Sequence, residues 1–240
     1  MLEQHDVTQP AALRPLVRRT LAAYGFDAER WEAPLAAALQ AVLETPLAVD
    51  GATLRLADVG PADRLAELRF ELPLCGGLDA RGDDALTPAS LARAFGDHPG
   101  GAMPAAYADR VAALGFGALR GFLTGAIDLV ARHEGRWYVV DYKSNRLGAA
   151  ADDYAAAPMA AEMSGAHYYL QYHLYVLALH RYLAWRLPDY DYDRHFGGVL
   201  YLFVRGMTPD GEPGRGVFLD RPPRARVEAL AALAAREVPA

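Results

Sequence analysis

Asp141 and Lys143 stand two residues apart at the end of an apolar run, and Lys143 is the only lysine among the chain's 24 lysines and arginines. A lysine carries a compact ammonium that can approach a water or a phosphate oxygen, whereas an arginine carries a planar fork that stays protonated. The use of lysine at this one position predicts a chemical role for its ammonium. Chance placement is the alternative, and the neighbouring residues decide between the two.

These residues belong to a predicted β-hairpin. Its flanks, Ile127–Arg132 and Trp137–Lys143, are rich in β-branched and aromatic residues, and the polar tetrapeptide between them contains a glycine, which favours a turn. Asp128 and Asp141 lie at equal distances from that turn, so we expect them to face each other across the hairpin. Asp141 and Lys143 project from the same sheet face because side chains alternate along a strand.

Two carboxylates and an ammonium on adjacent strands are poor core residues, because unpaired buried charge is costly. They are well suited to an active site that binds a metal ion. Carboxylates bind a hard cation such as Mg2+, which usually binds through one or two of them plus substrate phosphate. The ammonium can hold an attacking water or meet the charge that develops on phosphorus. The pattern therefore favours metal-dependent phosphoryl chemistry.

A wider set of residues carries a family resemblance. Gly125-Ala126-Ile127-Asp128 followed by Asp141-Tyr142-Lys143 resembles the two-strand core of the PD-(D/E)XK nuclease superfamily. A longer ordered set resembles the C-terminal nuclease domain of the RecB family; its segments are 121–129, 132–136, 141–145, 170–175, 178–183 and 195–206, with weaker matches at 8–10 and 67–73. The resemblance implies an α/β fold with a restriction-endonuclease-like mixed central sheet flanked by helices.

The resemblance also implies roles for the hairpin residues. Asp128, Asp141 and the main-chain carbonyl of Tyr142 would bind Mg2+, and Lys143 would orient the water. Glu67 lies on a predicted alternating strand, where the simple interpretation is a solvated face. The family pattern instead places a glutamate here beside the acidic cluster, where it would hold a second metal or its water.

Gln171 and Tyr175 lie four residues apart on a predicted amphipathic helix, 166–185, and so share a face. An amide and a phenol can both donate to phosphate oxygens, and the resemblance implies that this pair helps position DNA. The alternative for Tyr175 is membership of the apolar stripe of that helix.

The remaining elements indicate an α/β chain of one or two domains. An N-terminal helical segment, 1–50, would precede a nuclease core, 51–240, unless the two form one continuous domain. Predicted helices are 11–24, 29–43, 87–95, 105–114, 149–164 and 224–236, and predicted strands besides the hairpin are 53–56, 65–74, 196–205 and 216–219, the last at a sheet edge.

The composition of the chain argues against several classes of function. The 240 residues contain no Gly-x-x-x-x-Gly-Lys-Ser/Thr loop, which argues against a nucleotide-driven motor, and the net charge of −6 argues against broad DNA binding. The single Cys75, expected in the core, permits no internal disulfide and cannot supply the four thiolates of an iron–sulfur cluster. Without a signal peptide or long apolar run, the chain is expected to be cytoplasmic and to bind no membrane.

The resemblance implies partners as well. The substrate would be linear DNA delivered as single strands by a helicase during double-strand-break repair. The protein partners would be the helicase part of RecB, RecC- and RecD-like subunits, and the recombinase RecA.

One expected ligand is missing. The family places a metal-binding histidine on an upstream helix, and aligning Thr8-Gln9-Pro10 with that region puts this histidine before Met1; His5 would lie on another face. Carboxylates provide most of the attraction for Mg2+, so the site would be weakened but not abolished. The alternative function is a truncated, catalytically impaired fragment that acts only as a partner-interaction module. His98 is expected to be an ordinary loop residue.

Overall fold

The computed structural model describes residues 12–74, 86–119 and 121–235. Within these ranges, the segments with apolar periodicity form eight α-helices and seven β-strands. The helices are α1 (Leu13–Ala23), α2 (Ala28–Glu44), α3 (Pro88–Asp97), α4 (Tyr107–Ala112), α5 (Ala156–Gly165), α6 (Tyr168–Arg186), α7 (Tyr192–His195) and α8 (Arg224–Ala235). The strands are β1 (Leu47–Val49), β2 (Ala52–Leu54), β3 (Arg64–Pro73), β4 (Phe122–His133), β5 (Arg136–Lys143), β6 (Phe196–Phe203) and β7 (Val217–Asp220).

Five strands form one sheet in the order β3-β4-β5-β6-β7, and β1 pairs with β2 in a separate hairpin. The predicted α/β fold is confirmed, and β7 lies at an edge of the sheet as expected. The sequence prediction omitted β1. Its turn, Asp50-Gly51, has positive φ at both residues, 46° and 80°, and Asp-Gly between apolar residues is a strong hairpin signal that identifies it.

The central hairpin has the predicted register. β4 and β5 are antiparallel, and each pair from Leu129↔Val140 to His133↔Arg136 is equidistant from the turn. The turn is tighter than predicted, because only Glu134 (φ 47°) and Gly135 (φ 79°) lie between the strands. Positive φ at both positions defines a type I′ turn, whose twist matches that of the strands.

The chain divides into two compact units, each with its own apolar core. The first comprises Met1–Leu68, Asp128–Ala160 and Leu200–Phe218; the second comprises Arg69–Ile127, Ala161–Val199 and Leu219–Ala240. In the first unit, α1 and α2 pack with β5 and β6 through buried residues such as Val17, Leu43, Val140 and Leu202. The predicted boundary near residue 50 remains a prediction.

The second unit contains a fully buried arginine, Arg226 of α8. Its Nε donates to the carbonyl oxygen of His98 at 2.9 Å and its Nη2 to that of Gly100 at 2.9 Å. Its Nη1 lies 3.2 Å from Nε2 of His173. Because arginine only donates, Nε2 must accept, and the proton on Nδ1 of His173 is donated to the carbonyl of Tyr169 at 2.6 Å.

Asp220 holds the same loop from the end of β7. Its Oδ1 accepts from the amide of Ala102 at 2.6 Å, and its Oδ2 accepts from the hydroxyl of Tyr172. Gly101 has φ +69°, and a Cβ there would lie 2.6 Å from Oδ1 of Asp220. A glycine is therefore needed where the loop meets this carboxylate. His98, the expected loop residue, lies in a loop that is tied to α8.

The buried histidine makes stability depend on pH. Burial lowers the pKa of His173 to about 3, against an ordinary value of 6.5. As the pH falls below about 6.5, the unfolded chain gains a proton that the folded chain does not bind, so stability is lost progressively towards pH 3. Between about pH 7.5 and pH 5.5 we expect the wild type to lose about 1.4 kcal/mol more than a His173→Gln variant in urea unfolding. Parallel pH dependence in the two proteins would contradict this assignment.

Two predicted helices need correction. The helix predicted at 149–164 begins instead with a 3-10 turn, Ala151–Tyr154, because Oδ2 of Asp153 accepts from the amide of Ala150 and closes a tight turn. α6 is not strongly amphipathic at its centre, where the consecutive residues 176–179 are all buried.

Several predictions fall on residues outside the described ranges. They concern Cys75, His5 and the match at 8–10. No helix within the described ranges is long and apolar enough to cross a lipid bilayer.

Candidate active site

The Asp128 carboxylate is fixed against the neighbouring strand. Asp128 follows one step beyond the Leu129↔Val140 pair of the hairpin. Its Oδ2 accepts a hydrogen bond from the main-chain amide of Tyr142 at 3.0 Å. This bond brings the carboxylate to the residue between Asp141 and Lys143.

Asp141 and Lys143 form a buried ion pair. Nζ of Lys143 lies 2.6 Å from Oδ2 of Asp141, and the two residues are 9% and 2% exposed. Nζ also lies 4.9 Å from the ring centroid of Tyr201 on β6, so the ammonium faces a carboxylate and an aromatic ring together. A charge so deeply buried is stable only when paired, which explains the close contact.

Glu67 lies at an irregularity in β3. It has φ 49°, a conformation uncommon for residues other than glycine, and both Ala66 and Glu67 are exposed. Two consecutive exposed residues and a left-handed backbone interrupt the regular alternation of the strand at this point. Beyond it, Leu68, Phe70 and Leu72 alternate with exposed residues as predicted. The metal role of Glu67 stays a prediction.

Gln171 and Tyr175 meet on one face of α6 in the second unit. Nε2 of Gln171 donates to the hydroxyl oxygen of Tyr175 at 3.1 Å, as their four-residue spacing allows. Both side chains are half-buried. The Tyr175 ring also meets Phe70 of β3 edge to face, with 6.0 Å between the ring centroids.

Sequence reasoning did not identify Tyr201 or Phe70 as part of these arrangements. Tyr201 occupies a continuous buried run in β6, where nothing in the local pattern distinguishes it from its apolar neighbours. In the sequence, Phe70 is one apolar residue of an alternating strand and has no further distinguishing feature. A glycine at 125, on the adjacent strand, is the one local signal of a bulky neighbour there.

The donors at the hairpin suit Mg2+. Among residues 12–74, 86–119 and 121–235, no three histidine, cysteine, aspartate or glutamate side chains come together as a metal site. The hairpin carries two carboxylates, Asp128 and Asp141, and both are hard oxygen donors. Mg2+ retains several waters and needs only one or two carboxylates with a substrate phosphate, so this donor set fits it. The same set is too small for a closed zinc site, which takes four protein ligands.

A β-hairpin with this spacing of Asp128, Asp141 and Lys143, in the central sheet of an α/β fold, is typical of one class of nucleases. The chain belongs to the PD-(D/E)XK nuclease superfamily, whose sequence pattern it matches over residues 4–239. The resemblance stated from the motifs is thereby confirmed.

Several proteins described as RecBCD enzyme subunit RecB are similar in sequence to this chain. The chain is 41% identical to that of Escherichia coli K12 over 92% of its own length, and 45% identical to that of Mycobacterium tuberculosis CDC 1551 over 97%. The chain is 55% identical to the RecB subunit of Haemophilus influenzae over 45% of the chain's own length. It spans only 17% of the E. coli protein and 23% of the M. tuberculosis protein.

Proposed function

We propose that this chain is a Mg2+-dependent DNA exonuclease domain that hydrolyses phosphodiester bonds. It would serve as the nuclease part of a RecBCD-type helicase–nuclease in double-strand-break repair. The observation that carries the proposal is the Asp141–Lys143 ion pair beside the Asp128 carboxylate, in a chain of the PD-(D/E)XK superfamily. The relatives named RecBCD enzyme subunit RecB support the wider context.

Each hairpin residue has a distinct part in this reaction. Asp128, Asp141 and the main-chain carbonyl of Tyr142 would hold Mg2+, which when bound lowers the pKa of a water and screens the charge of the phosphate. Lys143 would orient the attacking water and stabilise the charge on the phosphate oxygens in the transition state. Its burial strengthens this effect, because charges interact more strongly where water is excluded.

Residues outside the hairpin would hold the substrate. Gln171 and Tyr175 would donate to a phosphate of the DNA backbone, which fixes the strand without competing for the metal. Glu67 would hold a second metal or a water bound to it. No serine or cysteine nucleophile is required, since a metal-activated water can attack phosphorus directly.

The substrate would be linear DNA supplied as single strands by a helicase. The net charge of −6 supports this division of labour, because a chain of that charge gains little general affinity for a polyanion. The partners would be the helicase part of RecB, RecC- and RecD-like subunits and the recombinase RecA. The same acidic charge favours the second candidate function, a partner-interaction module that cleaves nothing.

The test is cleavage of end-labelled linear single-stranded DNA with Mg2+. We expect the wild-type chain to degrade it, and EDTA to stop degradation. Asp141→Asn and Lys143→Ala should each be slower by about a hundredfold or more, because each removes a charge that acts on the developing transition state.

The controls separate the two candidate functions. Degradation by Lys143→Ala at the wild-type rate would contradict the role proposed for Lys143, and the same rate in Asp141→Asn as well would show that another nuclease is responsible. If neither protein cleaves, the melting temperature is measured with and without Mg2+. A wild-type chain that Mg2+ does not stabilise, together with absent cleavage, would support the interaction module.

A further inference from the structure

A glycine on β4 makes room for a ring on β3. A Cβ added to Gly125 would lie 2.5 Å from Cζ and 2.9 Å from Cε1 of Phe70, closer than carbon atoms pack. The Phe70 ring therefore occupies the volume that a side chain at position 125 would fill. A glycine within a strand commonly marks such a close approach.

The same ring contacts the substrate-facing pair proposed above. Phe70 and Tyr175 meet edge to face, with centroids 6.0 Å apart and planes inclined by 75°. The hydroxyl oxygen of Tyr175 then accepts from Nε2 of Gln171. Gly125, Phe70, Tyr175 and Gln171 thus form a continuous line of contacts within the second unit.

We propose that Phe70 is the positioning residue of the Tyr175–Gln171 pair, and that Gly125 is a glycine so that Phe70 can take this place. Edge-to-face contact favours one orientation of the Tyr175 ring. The edge-to-face contact and the hydrogen bond to Gln171 are of similar strength, so the orientation of the Tyr175 ring depends on both. The consequence for DNA rests on the function proposed for Gln171 and Tyr175.

The first test reads the position of Tyr175 and needs neither DNA nor activity. The chain is labelled with fluorotyrosine, and the Tyr175 signal among the 13 tyrosines is assigned by Tyr175→Phe. Phe70→Ala should change the relaxation rate of the Tyr175 signal as well as its position, because loss of the ring current moves the signal in any case, whereas a changed relaxation rate reports that the ring is no longer held in one orientation. Gly125→Ala should shift the signal as well, because the new methyl group displaces the Phe70 ring. The signal of Tyr138, in the central hairpin, should stay in place.

The second test is the affinity for a fluorescent single-stranded oligonucleotide. It is measured in a Lys143→Ala background so that the DNA stays intact. We expect Gly125→Ala and Phe70→Ala each to weaken binding by about tenfold, as for the loss of one hydrogen bond to a charged group. In the Phe70→Ala background, Gly125→Ala should have no additional effect, because the clash has been removed.

The outcomes distinguish this inference from the function on which it rests. An unchanged relaxation rate of the Tyr175 signal in Phe70→Ala would overturn it. So would an equal loss of affinity from Gly125→Ala with and without Phe70, which would place the effect in β4 itself. If the relaxation rate changes while Phe70→Ala and Tyr175→Phe both leave affinity unchanged, the positioning holds and the proposed phosphate role fails. Phe70→Ala only removes atoms, so it decides the matter if Gly125→Ala does not fold.

Discussion

Lys143→Arg will slow the cleavage of linear DNA by about a hundredfold or more, although it conserves the charge. The ammonium lies between Oδ2 of Asp141, at 2.6 Å, and the ring of Tyr201, at 4.9 Å, and the residue is only 9% exposed. A guanidinium is larger and planar, so it cannot occupy this space without displacing a neighbour. The measurement is the rate of Mg2+-dependent degradation of end-labelled single-stranded DNA.

The matched control replaces an arginine with a lysine at the other end of the hairpin. Arg132 forms an exposed ion pair with Asp63, and Arg132→Lys should cleave at the wild-type rate. Circular dichroism and melting temperature establish that both variants are folded. Undiminished cleavage by Lys143→Arg would show that the active site needs a positive charge and not an ammonium.

Arg226→Met will destabilise the protein by about 3 kcal/mol or more. The buried guanidinium donates to the carbonyls of His98 and Gly100 and to Nε2 of His173. Methionine fills similar volume but donates to none of them, and a buried acceptor without a partner costs roughly 1–3 kcal/mol. For a chain of this length the melting temperature should fall by about 6–12 °C.

Arg224→Met provides the comparison, because it lies on the same helix two residues earlier. Arg224 forms exposed ion pairs with Asp191, Asp193 and Glu228, and such pairs contribute little. Its melting temperature should stay close to that of the wild type. Equal changes in the two variants would mean that the helix tolerates loss of the buried contacts, and that the loop from His98 to Ala102 is held by Asp220 alone.

The hairpin could be predicted from sequence because its information is local. Asp128 and Asp141 lie at equal distances from one short turn, so that turn alone fixes which residues face each other. The type of the turn was also encoded, in Glu134 and Gly135, as was the overlooked hairpin at Asp50-Gly51.

Contacts between distant segments could not be predicted in the same way. Arg226 binds residues 126 and 128 positions away, and nothing near it in sequence distinguishes it from an exposed helical arginine such as Arg224. His173 likewise has no local mark of burial. Tyr201 faces Lys143 only because β6 lies beside β5, an arrangement set by the whole sheet. The sequence thus predicts the charged residues of the candidate site better than the residues that support them.

The irregularity at Glu67 also bears on intermolecular contacts. β3 is an outer strand of the sheet in the described part of the chain, and a strand of ten residues with unpaired backbone groups can recruit a strand from another molecule. The left-handed backbone at Glu67 interrupts the regular spacing of those groups, and the exposed Arg69 and Glu71 add charge to this strand. A pairing strand would have to straighten the backbone at Glu67 and lie beside these charges. The irregularity thereby protects the sheet against edge-to-edge aggregation.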